Sequence, residues 1–223
     1  MKVTTDACLF GSLLPTSSKG GGASNVLDIG TGTGLLSLMY AQKNTSAIID
    51  AIEIDKEAAE QVKENVLASP WKERISVINA DVKDYFFSKK YDLIISNPPF
   101  YENELKGDNN KKNIAHHNEG LLLEELLIII KNNLNANGRF CLLLPFKRIE
   151  EIKNLMLKNE FEILNITLLK QSVKHDYFRI ILMGKLKTEE TIKTEFDEIS
   201  IWNDKKEYTP EFTNILKDYY LCL

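Results

Sequence analysis

Unbroken runs of apolar residues recur along the chain, each followed by a stretch in which apolar positions return every three or four residues. Runs of the first kind predict strands covered on both faces; stretches of the second kind predict amphipathic helices. Strands are expected at 26–30, 47–54, 75–79, 91–96 and 139–144, with a closing pair at 161–169 and 178–185. Helices are expected at 5–14, 35–42, 56–68, 119–134 and 147–158. Thr5 or Asp6 can cap the first of these and Asp55 the third. The stretch 15–24 (Pro-Thr-Ser-Ser-Lys-Gly-Gly-Gly-Ala-Ser) predicts a flexible connector, 101–118 a polar loop, and Asn137-Gly138 a turn into the fifth strand. Strands that alternate with helices imply a parallel sheet with helices on both faces. No internal repeat and no second core is visible, so the expected organisation is an N-terminal helix and connector (1–24) ahead of one domain (25–223).

Composition narrows the class. The chain has 223 residues, 43% hydrophobic and 27% charged, enough for one α/β domain with a substantial core. No apolar run approaches the ~18 residues of a membrane span; Glu124 and Glu125 interrupt the longest, at 121–130. The first residues lack the apolar core of a signal peptide. Cys8, Cys141 and Cys222 are scattered without metal-ligand spacing. They predict free thiols in a reducing cytoplasm, and no metal site. The net charge of −4 gives nucleic-acid binding no support from the total, which leaves local patches.

Candidate chemistry collects at strand ends, where ligands of parallel sheets bind. The apolar run Leu93-Ile94-Ile95 leads straight into Asn97-Pro98-Pro99-Phe100. Two prolines fix φ and cannot donate to a ladder, so the strand stops there and Asn97 is held at its carboxyl end. An amide, a proline carbonyl and an aromatic face then converge, a set that accepts hydrogen bonds from an amine and stacks on a flat ring. After the first strand comes Asp28-Ile29-Gly30-Thr31-Gly32-Thr33-Gly34, whose glycines let the backbone approach a ligand closely. Glu53 lies 23 residues after Gly30 at the end of the second strand, a separation suited to ribose hydroxyls; the plainer reading is a surface charge. Asp81 follows the third strand and can cap a short helix.

The spacing G-x-G-x-G with an acid two residues ahead resembles motif I of class I S-adenosylmethionine (SAM) methyltransferases. That resemblance implies a Rossmann-like α/β domain with a seven-stranded, mostly parallel sheet in the order 3-2-1-4-5-7-6, the last strand antiparallel. It implies SAM as cofactor, bound by Asp28, Gly30, Thr31, Gly32, Gly34, Glu53, Ile54 and Asn97. Asp81 would accept from the adenine amine of the cofactor, and the Val82 amide would reach its ring. Asn97-Pro98-Pro99-Phe100 resembles the N-P-P-[YF] signature of amino-group methyltransferases. The lone pair of an aryl amine is delocalised and poorly nucleophilic. Hydrogen bonds to the Asn97 side-chain oxygen and the Pro98 carbonyl would turn it toward the sulfonium methyl. Positioning then supplies much of the rate, and Phe100 would stack on the target ring, worth ~1–3 kcal/mol.

Further segments narrow the resemblance. Lys2-Val3-Thr4-Thr5-Asp6-Ala7-Cys8-Leu9-Phe10-Gly11 is similar to the K-V-x-T-D-x-x-L-x-G segment of the bacterial tRNA(Val) adenine-N6 methyltransferases. So is Ala115-His116-His117 to their A-R-H, and Tyr208-Thr209-Pro210-Glu211-Phe212 to their Y-T-x-E-F. The likeness implies a tRNA substrate, no metal, and a monomer or weak homodimer. It places Lys2, Thr5 and Phe10 by the methionine moiety of the cofactor, although Phe10 can equally be helix packing. Lys106, Lys111, Lys112 and His117, in the loop after the prolines, are candidates for gripping phosphates. The likeness departs at His116, where the family often has Arg, and in the further segment the family usually carries upstream of Lys2. Three alternatives stay open: a release-factor glutamine-N5 methyltransferase, a guanine-N2 rRNA methyltransferase, and a SAM-binding module without catalysis.

Overall fold

A computed structural model of the chain describes residues 3–16, 25–98, 121–189 and 192–220. Eight strands form one sheet: β1 (Asn25–Ile29), β2 (Ile48–Glu53), β3 (Ile75–Asn79), β4 (Tyr91–Ser96), β5 (Leu134–Pro145), β6 (Phe161–Ser172), β7 (Tyr177–Leu186) and β8 (Glu195–Trp202). Their order is β3-β2-β1-β4-β5-β7-β6-β8, with β7 antiparallel to both of its neighbours. The expected order is present, and one strand is added: β8 runs parallel to β6 at the edge. Its sequence hides it. The first four residues, Glu-Phe-Asp-Glu, are all exposed, and Ile199 and Ile201 alone of the strand point into the core.

The helices are α1 (Thr5–Leu13), α2 (Leu35–Lys43), α3 (Lys56–Leu67), α4 (Leu123–Asn133), α5 (Ile149–Lys158) and α6 (Pro210–Leu216). Alternation along each strand divides the core into two layers. Leu93 and Ile95 of β4 face one layer with α1, α2, α3 and α6; Ile94 faces the other with α4 and α5. Caps fix where helices begin: the Asp55 carboxylate accepts from Ala58 N at 2.8 Å, and Thr209 Oγ1 from Phe212 N at 3.2 Å.

Two expectations change in detail. β5 begins at Leu134, so Asn137-Gly138 lies inside a strand. The register slips there: Tyr91 pairs with Leu134 but Leu93 pairs with Arg139. The turn residues thus form a bulge. The start of the expected helix at 147–158 is a 3-10 turn over Phe146–Arg148. The N-terminal helix is firmly tied to the domain. Lys43 Nζ donates to Ser12 O at 2.8 Å and Leu14 O at 2.9 Å, and Arg179 of β7 pairs with Asp6 at 3.0 Å. Among the described residues no helix is long and apolar enough to cross a membrane. Cys8 and Cys141 are buried thiols outside any disulfide, and Cys222 lies outside the described residues.

Candidate active site at the carboxyl edge of the sheet

β1 and β4 lie side by side, so the glycine turn and the proline turn leave the sheet as neighbours. Ile29 pairs with Ser96, and Ser96 Oγ donates to Ile29 O at 2.8 Å, pinning the two strand ends together. The next residues are Gly30 on one side and Asn97 on the other. Asn97 is half-buried and Pro98 buried.

The glycine turn is held against β2. Gly30 N and Thr31 N both donate to Ile52 O, at 2.9 and 3.1 Å. Gly30, Gly32 and Gly34 have φ of 70°, 58° and 82°, the left-handed region that favours glycine. Two of them have further reasons. A Cβ on Gly34 would sit 2.5 Å from Val62 Cγ2, so this glycine lets α3 close on the start of α2. A Cβ on Gly30 would meet nothing within 4 Å, so that position opens onto free space.

Two carboxylates frame the turn. Asp28 is fully buried; its Oδ2 accepts from Thr31 Oγ1 and Ser37 Oγ, each at 2.7 Å, while Oδ1 has no partner. Burial pushes its carboxyl up to about 6, against the pull of the two hydroxyls; the Glu53 charge adds to the rise. Glu53 is buried too, with Oε2 accepting from Gly32 N at 2.8 Å and Oε1 from Asp55 N at 3.0 Å. It therefore braces the turn and keeps acceptor capacity. Ile54 beside it is 64% exposed, an unusual state for an isoleucine at a strand end. Asn79 fastens the ends of β2 and β3, its Nδ2 donating to Glu53 O at 2.9 Å.

Asp81 caps the turn that follows β3. Its Oδ1 accepts from Lys83 N at 2.9 Å, and Lys83 Nζ stands 3.8 Å from Oδ2. Val82 is half-buried against the α4 layer. Thr5 opens α1, where burial near Cys8 pushes the Tyr220 hydroxyl well above its usual range. Phe10 has no exposed surface and lies in the core between helix and sheet, so packing accounts for it. Lys2, Pro99, Phe100, Lys106, Lys111, Lys112, His116 and His117 lie outside the described residues. Ser37, Asn79 and Ser96 were not singled out in the sequence. Ser37 leaves a readable signal, a hydroxyl on the apolar helix face Leu35–Met39 one turn beyond the glycines.

Residues 7–165 match the family described as methyltransferase small domain. The tRNA1(Val) (adenine(37)-N6)-methyltransferase of Dyadobacter fermentans is 37% identical over 222 residues, 99% of this chain and 91% of that protein. The protein of the same name from Cytophaga hutchinsonii is 37% identical over 227 residues, 100% of this chain and 92% of its own. The chain belongs to this methyltransferase family. Solved structures agree in fold. A crystal structure of a predicted O-methyltransferase from Agrobacterium tumefaciens superposes with a TM-score of 0.72 at 19% identity, covering 95% of each chain. The glycopeptide N-methyltransferase MtfA, complexed with SAM, superposes with a TM-score of 0.55 at 10% identity, covering 75% of this chain and 89% of that one.

The family's cofactor suits the donor set at this edge. SAM carries an ammonium, two ribose hydroxyls and a flat purine. The described edge offers a buried carboxylate oxygen without a partner, a second carboxylate with spare acceptors, an exposed aliphatic face and an open glycine turn.

Proposed function

We infer that the protein is a SAM-dependent methyltransferase that modifies the exocyclic N6 amine of adenine 37 in the anticodon loop of valine tRNA. Near-full-length identity to enzymes of that name supports the substrate. The neighbouring positions of Asn97 and the glycine turn, on strand ends joined by the Ser96 hydrogen bond, carry the chemistry.

When bound, SAM supplies a methyl group on a sulfonium, ready for direct displacement. The protein's part is placement. Asp28 would hold the ammonium, Glu53 the ribose hydroxyls, Ile54 one face of the purine, and Asp81 with the Val82 amide its edge. The Asn97 side-chain oxygen and the Pro98 carbonyl would accept hydrogen bonds from the two N–H groups of the target amine, which would turn its lone pair out of conjugation and toward the methyl. Pro98 is buried and rigid, so its carbonyl costs little to hold in place. Phe100 stacks on the target base once it is splayed from the loop. Lys106, Lys111, Lys112 and His117 hold phosphates near it. Direct displacement needs no metal, and one chain supplies every group named, so a monomer suffices. A tRNA substrate puts the enzyme in the cytoplasm.

The test is methylation of unmodified valine tRNA with labelled SAM, followed by nucleoside mapping. N6-methyladenosine at position 37 is expected. Label on a release-factor glutamine or on guanine N2, with none on adenine, overturns the assignment. Asn97→Ala should leave SAM affinity within a few-fold and lower kcat by roughly 100-fold or more, since misplacement alone can cost that much. Turnover surviving in this variant would remove the positioning argument.

A further inference from the structure

The sheet edge that carries Asn97 extends beyond the methyl-transfer site. β4, β5, β6 and β8 point the same way, because β7 alone among them and their neighbours is reversed. The carboxyl ends of β6 and β8, Ser172 and Trp202, therefore lie on Asn97's edge. They stand three and four strand spacings to the side, at about 4.8 Å each, and by the strand register five residues further along, at about 3.3 Å each, so the separation is roughly 22–25 Å. There the turn after β6 and the turn after β8 enclose an open groove of about 500 Å³. That is within the range of small-molecule sites.

Both walls are built rigidly. Val173 N donates to Trp202 O at 3.0 Å, tying one turn to the other. Ser172 Oγ bonds His175 Nδ1 at 2.6 Å, and Asn203 Oδ1 accepts from Lys205 N at 2.8 Å and Glu207 N at 3.0 Å. Lys206 is held at φ 64°, a left-handed conformation uncommon for lysine, of the kind that collects at ligand sites. The lining combines one aromatic ring with polar and charged side chains. Trp202 is half-buried, backed by Tyr208 stacked at 4.1 Å and 17°, and still lines the groove. Lys174 and Lys206 line it as well, both exposed and without an ion pair among the described residues. Asp204 is the acidic lining residue.

We propose that this groove is a nucleotide subsite: one unpaired nucleotide of the substrate tRNA, distinct from the methylated adenine, lays its base on Trp202 and its phosphate between Lys174 and Lys206. The proposal rests on the tRNA reading of the methyl-transfer site. An indole face beside two uncommitted cations satisfies both halves of a nucleotide, as stacking platforms for single strands do. A chain with a net charge of −4 must bind RNA through local patches, and this one lies on the carboxyl side of the sheet, as Asn97 does, at a span a few looped-out nucleotides can bridge.

The experiment uses the full chain with valine tRNA transcript and two variants, Trp202→Leu and the double variant Lys174→Glu/Lys206→Glu. Trp202→Leu should raise KM for tRNA by about 5- to 100-fold, the loss of one stacked base. The double variant should flatten the dependence of log affinity on log salt by about 0.7, for the one phosphate the two lysines no longer neutralise. Both should bind SAM, measured by calorimetry, as the wild type does. If the wild type does not methylate the tRNA, the functional reading itself fails. If the wild type is active and the double variant keeps its KM and salt slope, the subsite alone is overturned. The lysines are exposed, so that variant decides the question even if Trp202→Leu loosens the packing on Tyr208.

Discussion

At the scale of single residues, Asp28 ties stability to pH. Its folded carboxyl sits at about 6 against an ordinary 3.8, chiefly through burial. The native state therefore keeps the proton after the unfolded chain has lost it. The sign follows: its stabilising contribution is complete below about pH 4 and is lost as the pH rises through about 6. The loss is about 3 kcal/mol for a shift of that size. Asn in its place can still accept from Thr31 and Ser37 but has no charge to bury. Asp28→Asn should thus be more stable than wild type at pH 7 by up to about 3 kcal/mol, with the gap closing toward pH 4. It should also bind SAM more weakly, a trade common at functional sites. Denaturant titrations at the two pH values measure the gap, and an equal gap at both would rule out ionisation as its source.

At the scale of elements, legibility followed hydrophobic pattern. β1 to β4 carry compact apolar runs ended by glycine, acid or proline, and each lies within a residue or two of its expected place. Candidate site residues at their ends could be proposed for the same reason, since a strand end in a parallel sheet is where ligands go. β8 could not be read, because an edge strand with an exposed acidic half has no alternation until Ile199. Asn137-Gly138 misled for a different reason. The pair favours a turn locally, but Tyr91 and Leu93 draw β5 into the sheet on either side of it. The bulge that results makes Gly138 a packing glycine. A Cβ there would stand 2.8 Å from Leu134 Cδ1 and 2.9 Å from the Tyr91 carbonyl oxygen. The carbonyl cannot swing aside without disturbing β4. Gly138→Ala is therefore expected to cost about 1–3 kcal/mol, as overpacking does. A denaturation midpoint equal to wild type would show the bulge to be soft.

At the scale of the whole molecule, the two ends of the chain close on each other over the layer that carries the glycine turn. Gln42 of α2 donates to Asp218 O at 3.0 Å, and Tyr220 packs against the core layer that contains Cys8 of α1. A run of rings leads there from the far edge of the sheet. Trp202 stacks on Tyr208, Tyr208 on Phe212 at 4.6 Å, and Phe212 meets Tyr220 edge-on at 6.4 Å. Phe212 is the fully buried member and sits in the same core layer as Leu9, Phe10 and Met39. α6, with seven residues, is too short to persist without this packing. Phe212→Ala should cost about 3–5 kcal/mol, a fall in Tm of roughly 6–20 °C for a chain of this size. The loss should also be uneven. α4 packs in the opposite layer against Leu142 and Ile152, with no contact in this ring series. Amide exchange in α1 should therefore quicken well before exchange in α4, because the opening frees the chain ends first. Equal acceleration in both helices would mean that the two layers unfold as one unit, and that the closure of the termini has no independent stability to lose.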